Sequence, residues 1–280
     1  MRERTSYPAG VPCWVDSTQT DPTKAAEFYG RLFGWHLEDS MPPEAPGHYF
    51  VATLRGARVA AISSGSDGAP ATWNTYISVD SADESAGKVT DNGGTLVAAP
   101  VAIFDAGRMA VCADPGGAVF SLWQPGSHIG AQLVNEPGTW NWSNLNTRDP
   151  AGARAFYKAV FGWEAASVDF GFGESWMWRR PGYADFLEQL DPGVKQRHRD
   201  AGAPEGFTDA IGWLRPITDN TPPRWDITFS VDDTDAIVDR ARTLGATIIT
   251  PPFDVPYSRM AVLTDPQGAT FTVSHFTPPD

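Results

Sequence analysis

The sequence predicts an α+β protein of tandem duplicated domains. Each domain holds two βαβββ modules forming a curved, half-open mixed sheet with helices on the outer face. Three observations predict it. The run Asp21-Pro22, Phe28-Tyr29, Phe33-Gly34-Trp35 returns as Asp149-Pro150, Phe156-Tyr157, Phe161-Gly162-Trp163, 128 positions on (Asp21 to Asp149). The run Arg108-Met109 to Asp114-Pro115 and Phe120 returns as Arg259-Met260 to Asp265-Pro266 and Phe271, 151 positions on (Asp114 to Asp265). Within each copy a strand–helix–strands theme recurs once more in weaker form. A period this long is too large for a solenoid repeat and fits whole domains of ordinary size. The growth of the offset gives the second copy an insertion of 23 residues (151 less 128).

The domains are read as 1–124 and 140–280, joined by a turn-rich linker over 125–139, with the insertion at about 181–216. Each copy opens on an alternating strand, Cys13–Thr18 or Trp140–Asn146. Asp21 or Asp149 then caps a helix with proline at its first position, where a missing amide hydrogen costs nothing. Phe28, Leu32 and Trp35 recur at helical spacing and mark its core face. Gly34 and Gly162 stand where a helix end favours a positive φ. Strands follow over His48–Leu54 and Val59–Ile62, and in the second copy over Ser175–Arg179 and around Gly212. The second module reads as Trp73–Val79, a helix over Ala82–Asp91, then Leu96–Ala98, Met109–Ala113 and Ala118–Trp123. Its repeat is Trp225–Val231, a helix over Thr234–Leu244, then Thr247–Thr250, Met260–Thr264 and Ala269–His275. With helices on one face, the uncovered concave face is the natural ligand surface. The insertion carries helix-like stretches and is read as either a lid or a decoration or dimer contact.

Composition narrows the function. A net charge of −13 argues against nucleic acid and anionic membranes as partners. No apolar run is long enough to span a membrane, and the N-terminal residues lack an apolar signal core, so a cytoplasmic location is expected. Cys13 and Cys112 are isolated and read as buried, inert thiols. The 11 Trp, 15 Phe and 7 Tyr suit both cores and pockets for flat organic molecules.

The Asp-Pro helix, the Phe-Tyr and Phe-Gly-Trp runs, and the turns Asp114-Pro115-Gly116-Gly117 and Asp265-Pro266-Gln267-Gly268 resemble the vicinal-oxygen-chelate superfamily. That is the fold of glyoxalase I, bleomycin-resistance proteins and extradiol dioxygenases. In detail the chain is most similar to two-domain actinobacterial proteins labelled glyoxalase-like or "hydroxylase". The resemblance covers nearly the whole chain and implies paired βαβββ modules. It does not fix the chemistry, because the fold hosts both enzymes and binders.

The resemblance also implies where a metal would sit. Counting from the motifs places the family's ligand positions at Trp14, Asn74 and Ser121 in the first copy and Trp142, Asp226 and Thr272 in the second. Tryptophan cannot ligate through its N–H donor, and neither set converges His or carboxylates as a firm site requires. No metal and no cofactor is therefore expected. There is no Gly-x-Ser-x-Gly elbow, P-loop or Rossmann fingerprint, and Gly171-Phe172-Gly173 is too short for a phosphate loop. His198 reads as part of a solvated helix face and His128 as a linker residue. Arg108 and Arg259 read as pocket-lip donors or salt-bridge formers.

What remains is a set of aromatic and polar residues assigned to the concave face: Trp14, Asp16, Asn74, Ser121, Trp123, Trp142, Asn144, Trp176, Asp226 and Thr272. They predict a metal-independent protein, monomer or homodimer, that holds a small organic molecule. Sequestration of an antibiotic-like compound is the natural role. The second copy is expected to be the more enclosed, with Asp226 as its main polar anchor for a cationic or donor-bearing ligand. The alternative is an enzyme of lyase, isomerase, dioxygenase or hydroxylase type, with Asp16 or Asp226 in acid–base roles or metal ligands at other positions.

Overall fold

The computed structural model describes residues 3–66, 68–169 and 174–277, so the Gly171–Gly173 segment lies outside the described residues. The first copy forms β1 (Pro12–Gln19), α1 (Pro22–Phe33), β2 (His36–Asp39), β3 (Tyr49–Leu54), β4 (Ala57–Ser64), β5 (Thr72–Ser78), α2 (Ala82–Asp91), β6 (Thr95–Ile103), β7 (Gly107–Ala113) and β8 (Val119–Pro125). The second forms β9 (Trp140–Thr147), α3 (Pro150–Phe161), β10 (Glu164–Asp169), β11 (Glu174–Arg179), α4 (Tyr183–Leu190), α5 (Val194–Asp200), a 3-10 turn (Phe207–Asp209), β12 (Ala210–Pro216), β13 (Arg224–Ser230), α6 (Thr234–Thr243), β14 (Thr247–Val255), β15 (Ser258–Thr264) and β16 (Thr270–Phe276).

Each copy builds its own eight-stranded mixed sheet, in orders β2-β3-β4-β1-β5-β8-β7-β6 and β10-β11-β12-β9-β13-β16-β15-β14. The two orders are the same topology, as duplication requires. The helix signals act as read. Asp21 and Asp149 accept from the backbone N–H of Lys24 and Gly152, and Gly34 and Gly162 close the helices at φ 74° and 71°. β2 and β10 were not anticipated. β2 is a short, mostly exposed edge strand whose residues carry no alternation of apolar and polar.

The strand read around Gly212 is β12, Ala210–Pro216. β12 lies inside the 181–216 bounds and is the counterpart of β4. The added segment is residues 180–209, which replace the tight Arg55-Gly56 turn of the first copy.

The helix-bearing faces of the two sheets turn toward each other, so they form the interior of the molecule. One core joins Phe28, Tyr29, Leu32 and Phe33 of α1 to Phe229, Phe271 and Val238 of the second copy. The other joins Val89 and Phe120 to Phe156, Tyr157 and Trp163. The duplicated motifs meet there. Tyr29 donates to Asp265 Oδ2 at 3.0 Å and receives the Trp73 indole N–H at 3.0 Å. Tyr157 donates to Asp114 Oδ2 at 3.2 Å and receives that of Trp225 at 3.1 Å. Each Phe-Tyr helix thus clasps the Asp-Pro-x-Gly turn of the opposite copy. Trp35 and Trp163 complete the exchange by donating to the carbonyls of Gly138 (2.7 Å) and Gly10 (2.6 Å).

Candidate functional site

Strand alternation decides which side chains reach the two concave faces. In β1, Trp14, Asp16 and Thr18 alternate away from the core-facing Cys13, Val15 and Ser17. The register pairs Trp14 with Tyr76, Asp16 with Asn74 and Asp16 with Ala61. Tyr76 in turn faces Ser121, and Ser78 faces Trp123. The second face pairs Trp142 with Thr228, Asn144 with Asp226 and Trp213, and Asn146 with Arg224 and Arg215. Thr228 faces Thr272. Nine of the ten residues assigned to the concave faces from sequence lie there.

Trp176 is the correction. It sits in the inter-domain core on the helix side, with the Arg154 guanidinium 5.0 Å from its ring. Its neighbour in the register, Leu214, is fully buried on the same side. Trp73, Trp178 and Trp225 also face the core.

The first face is filled by its own side chains. Asp16 is 2% exposed. Its Oδ2 accepts from Tyr76 at 2.7 Å and Tyr49 at 3.3 Å, and its Oδ1 accepts from Asn74 at 2.8 Å. The Trp14 indole donates to Tyr49 at 3.0 Å. The linker contributes the plug. His128 packs edge-on against Trp14, ring centroids 4.5 Å apart, and against Trp123 at 5.6 Å, while its carbonyl takes the Trp123 N–H at 2.8 Å. Burial pushes the imidazole down to about 4, so it is neutral at pH 7. His128 is therefore part of this face rather than a bystander in the linker.

Burial also raises the Asp16 carboxyl, against hydrogen bonds from Tyr76, Asn74 and Tyr49 that favour its charged form. A carboxyl raised in the folded state lends stability that is full below the ordinary carboxylate range and is lost as pH rises through the raised value. Asp16→Asn stays neutral throughout. It is expected to match or exceed the parent in stability at pH 7, and to lack the stability the parent gains on acidification from pH 7 to about 4, the ordinary carboxylate range. Urea midpoints at the two pH values check this. An equal loss at both would show that the charged form is the one the fold favours.

The second face is built differently. Thr228 and Ser274 stand where the first copy has Tyr76 and Trp123, and Trp213 stands where it has Ala61. These floor residues are smaller than their counterparts, and half-buried Trp142 and Trp213 form a wall, centroids 6.0 Å apart. The insertion reaches over this face. Phe207 lies 6.0 Å from Trp142, His198 packs 5.2 Å from Phe207, and Tyr257 of the β14–β15 turn donates to the Gly202 carbonyl at 3.3 Å. His198, expected on a solvated helix face, is thus turned inward, with Nδ1 3.0 Å from Thr208 Oγ1. A cleft of about 390 Å³ runs beneath the insertion between Ala166, Val168, Met177, Arg179, Pro204 and Glu205.

Asp226 is not a free anchor. Its Oδ2 accepts from Asn146 at 2.8 Å and its Oδ1 from Arg224 Nε at 2.9 Å. Burial raises its carboxyl, and Arg224 and Arg215 pull it back. Asn144 donates to Thr228 at 3.0 Å, while its Oδ1 is buried with no partner among the described residues.

Neither donor set fits the divalent ion the fold implies. Trp14 gives its only polar hydrogen to Tyr49, Asp16 is enclosed by three donors, and Tyr76 takes the place beside Trp14 that the count gave to Asn74. Among the described residues no three His, Cys, Asp or Glu side chains converge. Cys13 and Cys112 are buried, with the Cys112 thiol pushed up to about 11. Arg108 and Arg259 pair with Asp83 and with Asp235 and Asp254, as salt-bridge formers.

Sequence reasoning missed Tyr49, Tyr76, Thr228 and Arg224, though Tyr76, Thr228 and Arg224 lie two residues from an assigned position on the same strand face. It missed Phe207, which falls inside the insertion, and Trp213 and Arg215, which belong to the strand read around Gly212 without a fixed phase.

Comparison with known proteins settles the family. A model of the glyoxalase/bleomycin resistance protein/dioxygenase superfamily matches residues 14–122, and one of a glyoxalase-like domain matches residues 142–274. The chain belongs to this superfamily, as a two-domain member. It is 39% identical over 278 residues, 98% of this chain and 97% of the other, to CFP32 of Mycobacterium tuberculosis (strain CDC 1551 / Oshkosh), provisionally named a glyoxylase. It is 34% identical over 284 residues, 96% of this chain and 94% of the other, to the anthracycline biosynthesis protein DauV of Streptomyces sp. (strain C5). Among solved structures it shares its fold with the Mn(II)-bound glyoxalase from Novosphingobium aromaticivorans (TM-score 0.62, 15% identity, 97% of this chain and 84% of that one). It shares it equally with homoprotocatechuate 2,3-dioxygenase of B. fuscum (TM-score 0.62, 14% identity, 100% and 74%). Among the described residues no helix is long and apolar enough to cross a membrane.

Proposed function

We propose that this superfamily member binds a flat organic molecule on the concave face of its second domain, beneath the insertion, without a resident metal. The asymmetry of the two faces carries the reading. Tyr76, Trp123 and His128 occupy the first face, whereas the second has the smaller Thr228 and Ser274 at those positions, with half-buried Trp142 and Trp213 and with Phe207 beside them. Offset or edge-on aromatic walls suit a planar ring system, and the unpartnered Asn144 Oδ1 suits a ligand donor. Relatives named for anthracycline biosynthesis agree with a polycyclic aromatic ligand. Holding such a compound, as a carrier or by sequestration, needs no further chemistry. A second reading, an acid–base step at Asp226, is favoured by its half-exposed carboxyl raised by burial.

Titrating a panel of bicyclic and tricyclic aromatics while following intrinsic fluorescence tests the proposal. Trp142→Ala is expected to weaken binding by ~1–3 kcal/mol, the scale of one lost aromatic anchor. Trp14→Ala is expected to lower stability and leave the affinity of the folded fraction unchanged. Binding that depends on Trp14 and ignores Trp142 would move the site to the first domain.

A further inference from the structure

The rim of the second face differs from that of the first in one systematic way. Thr20, Ser63 and Thr72 occupy three neighbouring strand ends in the first copy. Their counterparts are Arg148, Arg215 and Arg224. Three hydroxyls on one rim have become three guanidiniums on the other.

The charges around that rim do not cancel. Arg224 pairs with Asp226 at 2.9 Å. Arg148 Nη2 donates to the backbone carbonyls of Asp219 (3.3 Å) and Thr221 (2.7 Å). The Asp219 carboxyl is tied by the Thr221 backbone N–H and hydroxyl. Strands β9 (through Arg148), β12 and β13 and the 217–223 loop therefore present three guanidiniums against two carboxyls. Arg215 makes no hydrogen bond or ion pair among the described residues. Its side chain is exposed, yet surrounding atoms desolvate it enough to push the guanidinium below its ordinary value. Its register beside Asn146 puts that cation at the rim of the concave face. It also stands out in a chain of net charge −13, whose overall field repels anions.

The spacing relates this cation to the aromatic wall. Arg215 follows Trp213 on the same face of β12, one pleat repeat or ~6.6 Å along the strand. A ring stacked at Trp142 and Trp213 would carry a substituent of about that reach to Arg215. A guanidinium with its donor fork free matches a carboxylate, taking two parallel hydrogen bonds. Asp226 and Asn146 fix Arg224 beside it, so the rim is preorganised rather than assembled on binding.

We infer that the ligand of the second domain is an aromatic anion, a flat ring system bearing a carboxylate, with the rings against Trp142 and Trp213 and the carboxylate on Arg215. This rests on the binding site proposed above and takes the place of a cationic ligand anchored by Asp226.

Three probes that differ only in charge test it: 2-naphthoate, the neutral 2-naphthamide and the cationic 2-naphthylmethylammonium, each titrated calorimetrically. The native protein should bind the carboxylate about tenfold more tightly than the amide, the scale of one charge-assisted pair, and the ammonium most weakly. Added salt should narrow the gap. Arg215→Gln should bring the carboxylate down to the amide's affinity and leave the amide unchanged. Arg215→Lys, which keeps the charge and loses the fork, should fall between, and it guards against a folding defect in the first variant. Equal affinities for carboxylate and amide, or tightest binding of the ammonium, would overturn the inference while leaving the aromatic site standing. Failure of all three to bind, or binding indifferent to Trp142→Ala, would overturn the site itself and the inference with it.

Discussion

Replacing Asp265 by alanine is expected to destabilise the protein by about 3–5 kcal/mol, the cost of stripping a buried polar cluster of its shared acceptor. Asp265 is 4% exposed. Oδ2 accepts from Gln19 at 2.7 Å and Tyr29 at 3.0 Å, and Oδ1 accepts from the backbone N–H of Gln267 and Ala269, both at 2.9 Å. Alanine leaves the Tyr29 hydroxyl hydrogen and two backbone donors of the turn without a partner, and leaves Gln19 Nε2 only its bond to Ser17. It removes the polar clasp between α1 and the opposite turn in the same stroke. Tyr29→Phe removes one of these bonds and should cost about 1–2 kcal/mol. Asp114→Ala should cost less than Asp265→Ala. Burial already penalises the Asp114 carboxyl and raises it, and it has no counterpart of Gln19, because Thr147 stands there. Urea midpoints of the three variants check the order. A shift below about 1 kcal/mol for Asp265→Ala would mean that the clasp is not what joins the domains.

Trp35→Ala should be comparably severe, about 3–5 kcal/mol for truncation of a large buried aromatic. Trp35 is 5% exposed and meets Phe33, Tyr29 and Phe229, ring centroids 5.1, 5.9 and 5.6 Å away. Phe229 belongs to the second domain, so the cavity would open at the seam. The Gly138 carbonyl would also lose its donor. Trp35→Phe keeps most of the ring contact. It should recover all but the hydrogen-bond share, about 1–2 kcal/mol. A stable Trp35→Ala variant with an unchanged urea midpoint would contradict this packing.

The fold was legible in the sequence because its signals are local and doubled. Asp21 and Asp149 as caps, Gly34 and Gly162 as helix ends, and alternation in β1 and β9 each depend on neighbours in the chain. The role of the repeated motifs was not legible. Tyr29 and Asp265 lie far apart in sequence, and no local pattern says that each copy's helix seeks the other copy's turn. The candidate site divides the same way. Trp14, Asn74, Trp142 and Asp226 follow from counting along the motifs of the family the chain resembles, and Asp16 and Asn144 from alternation two residues past Trp14 and Trp142. Trp213 and Arg215 belong to the strand read around Gly212, but its bounds and phase were not legible at the edge of the insertion. Trp176 falls on the other face from the one expected because its short strand runs Trp176-Met177-Trp178, apolar on both faces, so the pattern does not fix its phase. That Asp226 is occupied by Arg224 and Asn146 is a tertiary fact, set by register across three strands.

In the proposed binding mode the second concave face takes the ligand and the first is closed. Fluorine NMR of 5-fluorotryptophan-labelled protein, with resonances assigned by single Trp→Phe variants, tests it most directly. On titration with 2-naphthoate, the resonances of Trp142 and Trp213 should move to saturation together while those of Trp14 and Trp123 stay fixed. Movement of Trp14 and Trp123 with Trp142 and Trp213 unperturbed would contradict the account.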